Sequence, residues 1–202
     1  MKALLLIDIQ NDFIPGGSLA VPEGDLIIPV ANQLQPHFDL VVATQDWHPP
    51  DHKSFASNHA GKINFEKIDL HGLEQVLWPD HCVQGSRGAD FSDALNLNKV
   101  EAIFRKGTDR EIDSYSGFFD NGHRKTTALA DYLLGKQISQ VYIMGLAGDF
   151  CVYYTAKDAL QLEFQTFLVE DGIRSINPAE FEKAKADVLN RGGQVVQSHS
   201  LV

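Results

Sequence analysis

Short apolar runs recur along the chain, separated by segments of helical spacing or by turn-rich stretches. Residues 3–7 form an unbroken apolar run that stops at Asp8, the pattern of a strand covered on both faces. A turn-rich segment with Pro15-Gly16-Gly17 follows. Leu26, Ile27, Val30, Ala31 and Leu34 then keep helical spacing, predicting a helix over about 24–38. Residues 39–44 read as a second strand, 100–104 as a third ending at Lys106, and 140–144 as a fourth. Residues 166–169 read as a fifth and 194–197 as a sixth. Between them, Thr126 or Thr127 caps a helix that Gly135 ends, and residues 152–164 form another helix. Asn177-Pro178 opens the last helix, with proline at its first position, and Gly192-Gly193 closes it. Residues 47–88 are rich in His, Pro, Asp and Gly, with one short amphipathic stretch over about 70–77. So long a loop points to a functional role.

Strand and helix alternate from end to end. This predicts a three-layer α/β/α fold on a mostly parallel six-stranded sheet, with residues 1–202 as one domain. In such sheets, sites gather at the carboxyl ends of the strands. Asp8, Asp46, His48, Lys106 and Cys151 all fall just past apolar runs, so one rim can hold them all.

Composition narrows the function. The 202 residues are 44% hydrophobic and 22% charged, ordinary for a chain with a substantial core. A formal net charge of -10 excludes a surface built to neutralise nucleic-acid phosphates. The apolar start is interrupted at Asp8, too early for a membrane span. Two cysteines, with no paired framework, indicate a reducing, cytoplasmic setting. No glycine fingerprint of a dinucleotide fold follows the first strand, and there is no P-loop.

The candidate chemistry lies in three groups. Cys151 follows the small-residue turn Gly145-Leu-Ala-Gly-Asp-Phe at the start of a helix, where a thiolate is favoured. Its bland reading is a buried structural thiol, the reading also given to Cys82. A carboxylate such as Asp8 can take the thiol proton, and a lysine such as Lys106 can hold both. Equally, Asp8 could be a strand-end cap and Lys106 a surface residue. Asp46 and His48, two apart on extended chain, face the same way. With His81 they make a carboxylate-plus-two-histidine set suited to zinc, iron or manganese. His52, His59 and His71 lie nearby, so spacing alone leaves the choice open, and Ser54 could contribute through water. Phe13, Trp78 and Tyr115 could sandwich a flat ring.

Residues 7–13 (Ile-Asp-Ile-Gln-Asn-Asp-Phe), Thr44-Gln-Asp-Trp-His-Pro49, Leu77-Trp-Pro-Asp-His-Cys-Val-Gln84, Lys106-Gly-Thr-Asp109 and Gly145 to Cys151 occur in order. Together they resemble the nicotinamidases (also called pyrazinamidases) of the isochorismatase-like cysteine hydrolases. The resemblance implies hydrolysis of nicotinamide to nicotinate and ammonia within NAD salvage. It implies Cys151 as nucleophile, Asp8 as general base and acid, and Lys106 as their electrostatic partner. The oxyanion hole would be the Ala147 and Cys151 amides, with a cis peptide before Ala147. One divalent ion would sit on Asp46, His48 and His81, zinc being the first expectation. Phe13 and Trp78 would pack the ring. Some members carry a fourth histidine at the place that Ser54 takes in this chain. The implied partner is a small-molecule substrate, with no nucleic acid or membrane; a homo-oligomer is left open. A related hydrolase with another amide substrate is the alternative.

Overall fold

The computed structural model describes residues 1–202. Its main sheet is built from β1 (Lys2–Ile7), β2 (Leu40–Asp46), β5 (Val100–Lys106), β6 (Gln140–Gly145), β7 (Gln165–Ile173) and β8 (Gln194–Val196). Every pairing is parallel, in the order β5-β2-β1-β6-β7-β8. Four helices flank it: α1 (Ile27–Leu34), α2 (Leu129–Gly135), α3 (Tyr153–Gln161) and α4 (Pro178–Asn190). This is the expected three-layer arrangement, with the sheet wholly rather than mostly parallel. A cluster of 43 buried apolar residues runs through it. Central β1 and β2 are buried along nearly their whole length, whereas edge strand β5 alternates between buried and exposed positions. No helix is long and apolar enough to cross a membrane.

From β1 the chain winds one way to β2 and β5. It then returns beside β1 as β6 and winds the other way. The switch point therefore lies between β1 and β6, where open α/β sheets place their crevice. Gly145 ends β6 there with φ +132°, and a Cβ on it would lie 2.1 Å from the Ile7 carbonyl oxygen. A side chain would wedge these two strands apart at the crevice.

The boundaries differ from the sequence reading where local chemistry outweighs periodicity. The first helix is α-helical only over Ile27–Leu34, with tighter turns at Gly24–Leu26 and Gln35–His37, because Pro36 withholds an N–H from the last turn. Strand β7 runs past Val169 to Ile173 after a register shift, through polar residues that hid its continuation. The stretch around 70–77 belongs to a hairpin, β3 (Lys67–Leu70) and β4 (Leu73–Val76). His71 and Gly72 both have positive φ, as a two-residue hairpin turn requires. Neither candidate threonine is the cap of α2: the N-cap position is Ala128, without a side-chain cap, and the threonines hold the turn before it, Thr126 Oγ1 accepting from the Ala128 amide and Thr127 Oγ1 from the Leu129 amide.

Helix α4 begins as its sequence indicates. Asn177 Oδ1 accepts from the Ala179 and Glu180 amides at 3.0 and 3.4 Å, and Pro178 follows. Asn177→Ala should cost about 1 kcal/mol. That lowers the thermal midpoint by roughly 2–4 °C, while Asn177→Asp should hold it. Calorimetry of the two variants checks this, and an unchanged alanine midpoint would remove the cap from the account.

Candidate active site

Strand order places Lys106, Asp46, Asp8 and the Cys151 turn at the ends of four adjacent strands, β5, β2, β1 and β6. Lys106 pairs in register with Asp46, so its long side chain can reach over β2 toward β1 and β6. The Lys106 ammonium is fully buried. It lies 2.7 Å from Asp46 Oδ1, 2.9 Å from Asp8 Oδ2, 2.9 Å from the Ser114 carbonyl and 3.4 Å from Cys151 Sγ. Its approach to Asp8 Oδ2 is within ion-pair distance but is not aligned as a hydrogen bond. Thr44 Oγ1 donates to the other oxygen, Asp8 Oδ1, at 2.6 Å.

Burial sets the proton affinities here. It pushes the Asp8 carboxyl up, Lys106 pulls it back only in part, and the net direction is up. It pushes Asp46 the same way, but Lys106 and His48 outweigh it and hold Asp46 well below the usual carboxylate range. Cys151 is also raised, well above an ordinary thiol, because burial exceeds the pull of Lys106. This corrects the expectation of a thiolate at a helix start. Cys151 sits inside a wide five-residue turn, Gly148–Val152, that leads into α3, and its resting form is the thiol.

The nucleophile turn is held from outside. The Gly148 amide donates to the Arg174 carbonyl at 2.7 Å. The Asp149 carboxylate accepts from the Ile176 and Asn177 amides at 3.0 and 2.8 Å. The Leu146–Ala147 peptide bond is cis, as the resemblance implies. Sequence reasoning gave Asp149 no role; its place beside Cys151 was the only signal.

Beside this cluster lies a second one. One ligand atom each from Asp46, His48 and His81 fall within 4.8 Å of one another, all buried. Asp46 Oδ2 is 3.3 Å from His48 Nε2 and 3.7 Å from His81 Nε2. A short parallel ladder brings the histidines together: the His48 amide donates to the Cys82 carbonyl, and the Gln84 amide to the His48 carbonyl. His48 Nδ1 lies 2.9 Å from the Gly107 carbonyl, and His81 Nδ1 2.8 Å from the Pro79 carbonyl. A carbonyl only accepts, so each Nδ1 carries a proton, and in the neutral ring that a cation would bind each Nε2 holds the lone pair. That is the usual outer-shell arrangement of a metal-ligating histidine. His48 Nε2 is buried with no hydrogen-bond partner, so the donor set fits a divalent cation. Gly107 has φ +63°, and a Cβ there would meet His48 Cε1 at 2.3 Å.

The other histidines separate in the structure. His59 donates to the Lys53 carbonyl, and His71 faces Glu111 at the surface. His52 is buried beside His48, and the buried Ser54 hydroxyl lies 2.7 Å from its Nδ1.

Phe13, Trp78, Ala147 and Cys151 line one cavity with Asp46 and His81. Phe13 packs against the His81 ring at 5.5 Å, and Trp78 meets Phe150 edge-on at 4.8 Å. Trp78 Nε1 donates to the Tyr115 hydroxyl at 3.3 Å. Asp12 ties the Phe13 turn to the metal loop, accepting from the Ser18 and Cys82 amides. Leu19, Asp113, Phe150 and Ile176 also line the cavity. Sequence reasoning did not single these out.

Comparison with known proteins agrees with this geometry. A nicotinamidase from Escherichia coli (strain K12) is 48% identical over 92% of this chain and 88% of its own length. The structure of an Acinetobacter baumanii nicotinamidase/pyrazinamidase superposes with a TM-score of 0.97 at 46% identity, covering 100% of this chain and 98% of that one. A Pyrococcus horikoshii pyrazinamidase solved in complex with zinc gives 0.81 at 38% identity, covering 97% and 98%. The isochorismatase domain model matches residues 2–200, and the chain belongs to the isochorismatase family.

Proposed function

We propose that this protein is an amidohydrolase that converts nicotinamide to nicotinate and ammonia, and pyrazinamide to pyrazinoate. The reading rests on one observation above all: the Lys106 ammonium lies within reach of both the Asp8 carboxylate and the Cys151 sulfur, and Cys151 lines a cavity with Asp46, His81, Phe13 and Trp78. Asp46, His48 and His81 would hold one divalent ion, which we take to be zinc, the ion in the Pyrococcus horikoshii pyrazinamidase complex, although the same donors also suit iron or manganese. When bound, that ion supplies a Lewis-acid anchor for the ring nitrogen of the substrate. The cavity is narrow, about 20 Å³, so its aromatic walls must part to admit a ring. Two free thiols, one of them the nucleophile, suit the reducing cytoplasm.

In this reading, Cys151 Sγ attacks the carboxamide carbon as Asp8 takes the thiol proton. The Ala147 and Cys151 amides face the oxyanion, a contribution whose loss typically costs about 10²–10³ in rate. Asp8 returns its proton to the nitrogen and ammonia leaves, giving a thioester. Water then attacks the thioester, with Asp8 taking its proton. Nicotinate leaves, and the proton goes back to Cys151. A carboxyl raised toward neutrality suits both halves of this cycle better than an ordinary aspartate would.

Cys151→Ala should abolish ammonia release while leaving bound metal per chain unchanged by elemental analysis; substantial residual amidase activity would overturn the nucleophile. The base must be ionised, so kcat/KM should be full above the raised Asp8 value and fall as pH drops through it. The acid limb should thus lie above the ordinary aspartate value of 3.8, as an apparent value of the whole cluster. A profile flat into the ordinary aspartate range would remove Asp8 from this role. Stripping metal with a chelator should slow nicotinamide hydrolysis by about 10²-fold or more, through lost orientation, and zinc should restore it. Full activity in demonstrably metal-free protein would contradict the metal reading.

A further inference from the structure

The buried histidines of the metal loop are not in the same protonation pattern. His52 is fully buried beside His48, with ring centroids 4.4 Å apart. The backbone N–H of Ser54 donates to His52 Nδ1 at 3.1 Å, and the Ser54 hydroxyl lies 2.7 Å from the same atom. An amide N–H only donates, so Nδ1 must hold the lone pair. The single proton is therefore on Nε2. His48 and His81 are the opposite tautomer, with the proton on Nδ1 and the lone pair on Nε2.

His52 Nε2 is buried and has no hydrogen-bond partner. The Ile112 backbone lies near the ring without closing a well-formed hydrogen bond, and a buried N–H left in that state is costly. Asp113 supplies the other half of the setting. It is buried, lines the same cavity as Asp46 and His81, and offers a carboxylate oxygen within 4.8 Å of ring nitrogens of both His48 and His52. Its oxygens accept from the Ser114 amide and from Gln75 Nε2, one each, which leaves acceptor capacity on both.

We propose that His52 and Asp113 hold a water molecule in the coordination shell of the ion bound by Asp46, His48 and His81, and that His52 is not itself a ligand. The proposal rests on the metal reading given above. A metal-bound water uses one lone pair on the cation, can accept one hydrogen bond and donates two. His52 Nε2–H supplies the donor, and the Asp113 carboxylate accepts one of the protons. Direct ligation by His52 would need the opposite tautomer, with a proton on Nδ1 set against the N–H of Ser54. Ser54 is then a positioning residue that acts through His52 by fixing its tautomer.

The test uses the full chain loaded with Co²⁺, which shifts the ring N–H protons of ligating histidines far outside the ordinary proton NMR range. Two such solvent-exchangeable resonances are expected. One should vanish in His48→Ala and the other in His81→Ala, with both kept in His52→Gln. Metal affinity, measured by competition with a chelating dye, should drop about 10–100-fold in His52→Leu. It should return to near the original in His52→Gln, whose amide keeps an N–H near the Nε2 position. A third shifted resonance that disappears in His52→Gln would make His52 a ligand and overturn the proposal. Undiminished affinity in a folded His52→Leu would overturn it as well. If that variant does not fold, a large loss of affinity in His52→Gln decides against it. Absence of any shifted resonance in the original protein would instead sink the metal site itself, and the proposal with it.

Discussion

A single buried ammonium, that of Lys106, is the constraint on which the site depends. Two carboxylates, Asp8 and Asp46, lie within 3 Å of it, and none of the three side chains has appreciable access to solvent. One positive charge cannot neutralise two negative ones, and an uncompensated buried charge is worth several kcal/mol of instability. The excess is resolved unequally. Asp46 is held ionised by Lys106 and His48 together, whereas Asp8 is left with a raised proton affinity. The shortfall of positive charge therefore falls on Asp8, the carboxylate proposed to exchange protons. A cation held by Asp46 would deepen the asymmetry, because it would satisfy Asp46 and release more of Lys106 to Asp8 and Cys151.

The fold makes this charge arrangement possible without long loops. The carboxyl ends of β5, β2, β1 and β6 present their residues side by side, and the reversal of winding between β1 and β6 opens the crevice over them. The proposed base comes from one side of that crevice and the proposed nucleophile from the other. What the sheet does not supply is the wall of the cavity. Trp78 and His81 arrive on a segment hydrogen-bonded beside residues 48–56, and Asp12 fastens the Phe13 turn to it. The aromatic lining and the candidate metal ligands thus share one hydrogen-bonded scaffold.

What could be read from the sequence follows from how local each determinant is. The strands were legible because apolar runs over residues 3–7 and 140–144 need no tertiary information, and α4 because its cap and proline are adjacent. Asp8, Lys106 and Cys151 were legible as a rim because strand ends fix them. The hairpin at residues 67–76 was not, since its His71-Gly72 turn lacks the usual asparagine or aspartate signal. The choice among histidines was not legible either. It depends on which ring nitrogen meets a carbonyl, and those carbonyls belong to Gly107 and Pro79 in one case and give way to the Ser54 amide in the other. No spacing rule encodes a tautomer.

The state of Cys151 shows the same limit in energetic form. Helix-terminus physics favours an anionic sulfur by a few tenths to about 2 kcal/mol. Complete burial next to two carboxylates opposes it more strongly, and Lys106 does not restore the balance. In the proposed reaction the sulfur waits as a thiol and would ionise only as it attacks, its proton moving to Asp8 and negative charge passing to the oxyanion. Proton transfer and carbon–sulfur bond formation become a single event under this constraint. A permanently charged thiolate would need more positive charge than Lys106 provides, and added cation there would drain the proton affinity from Asp8 that the second half of the reaction requires.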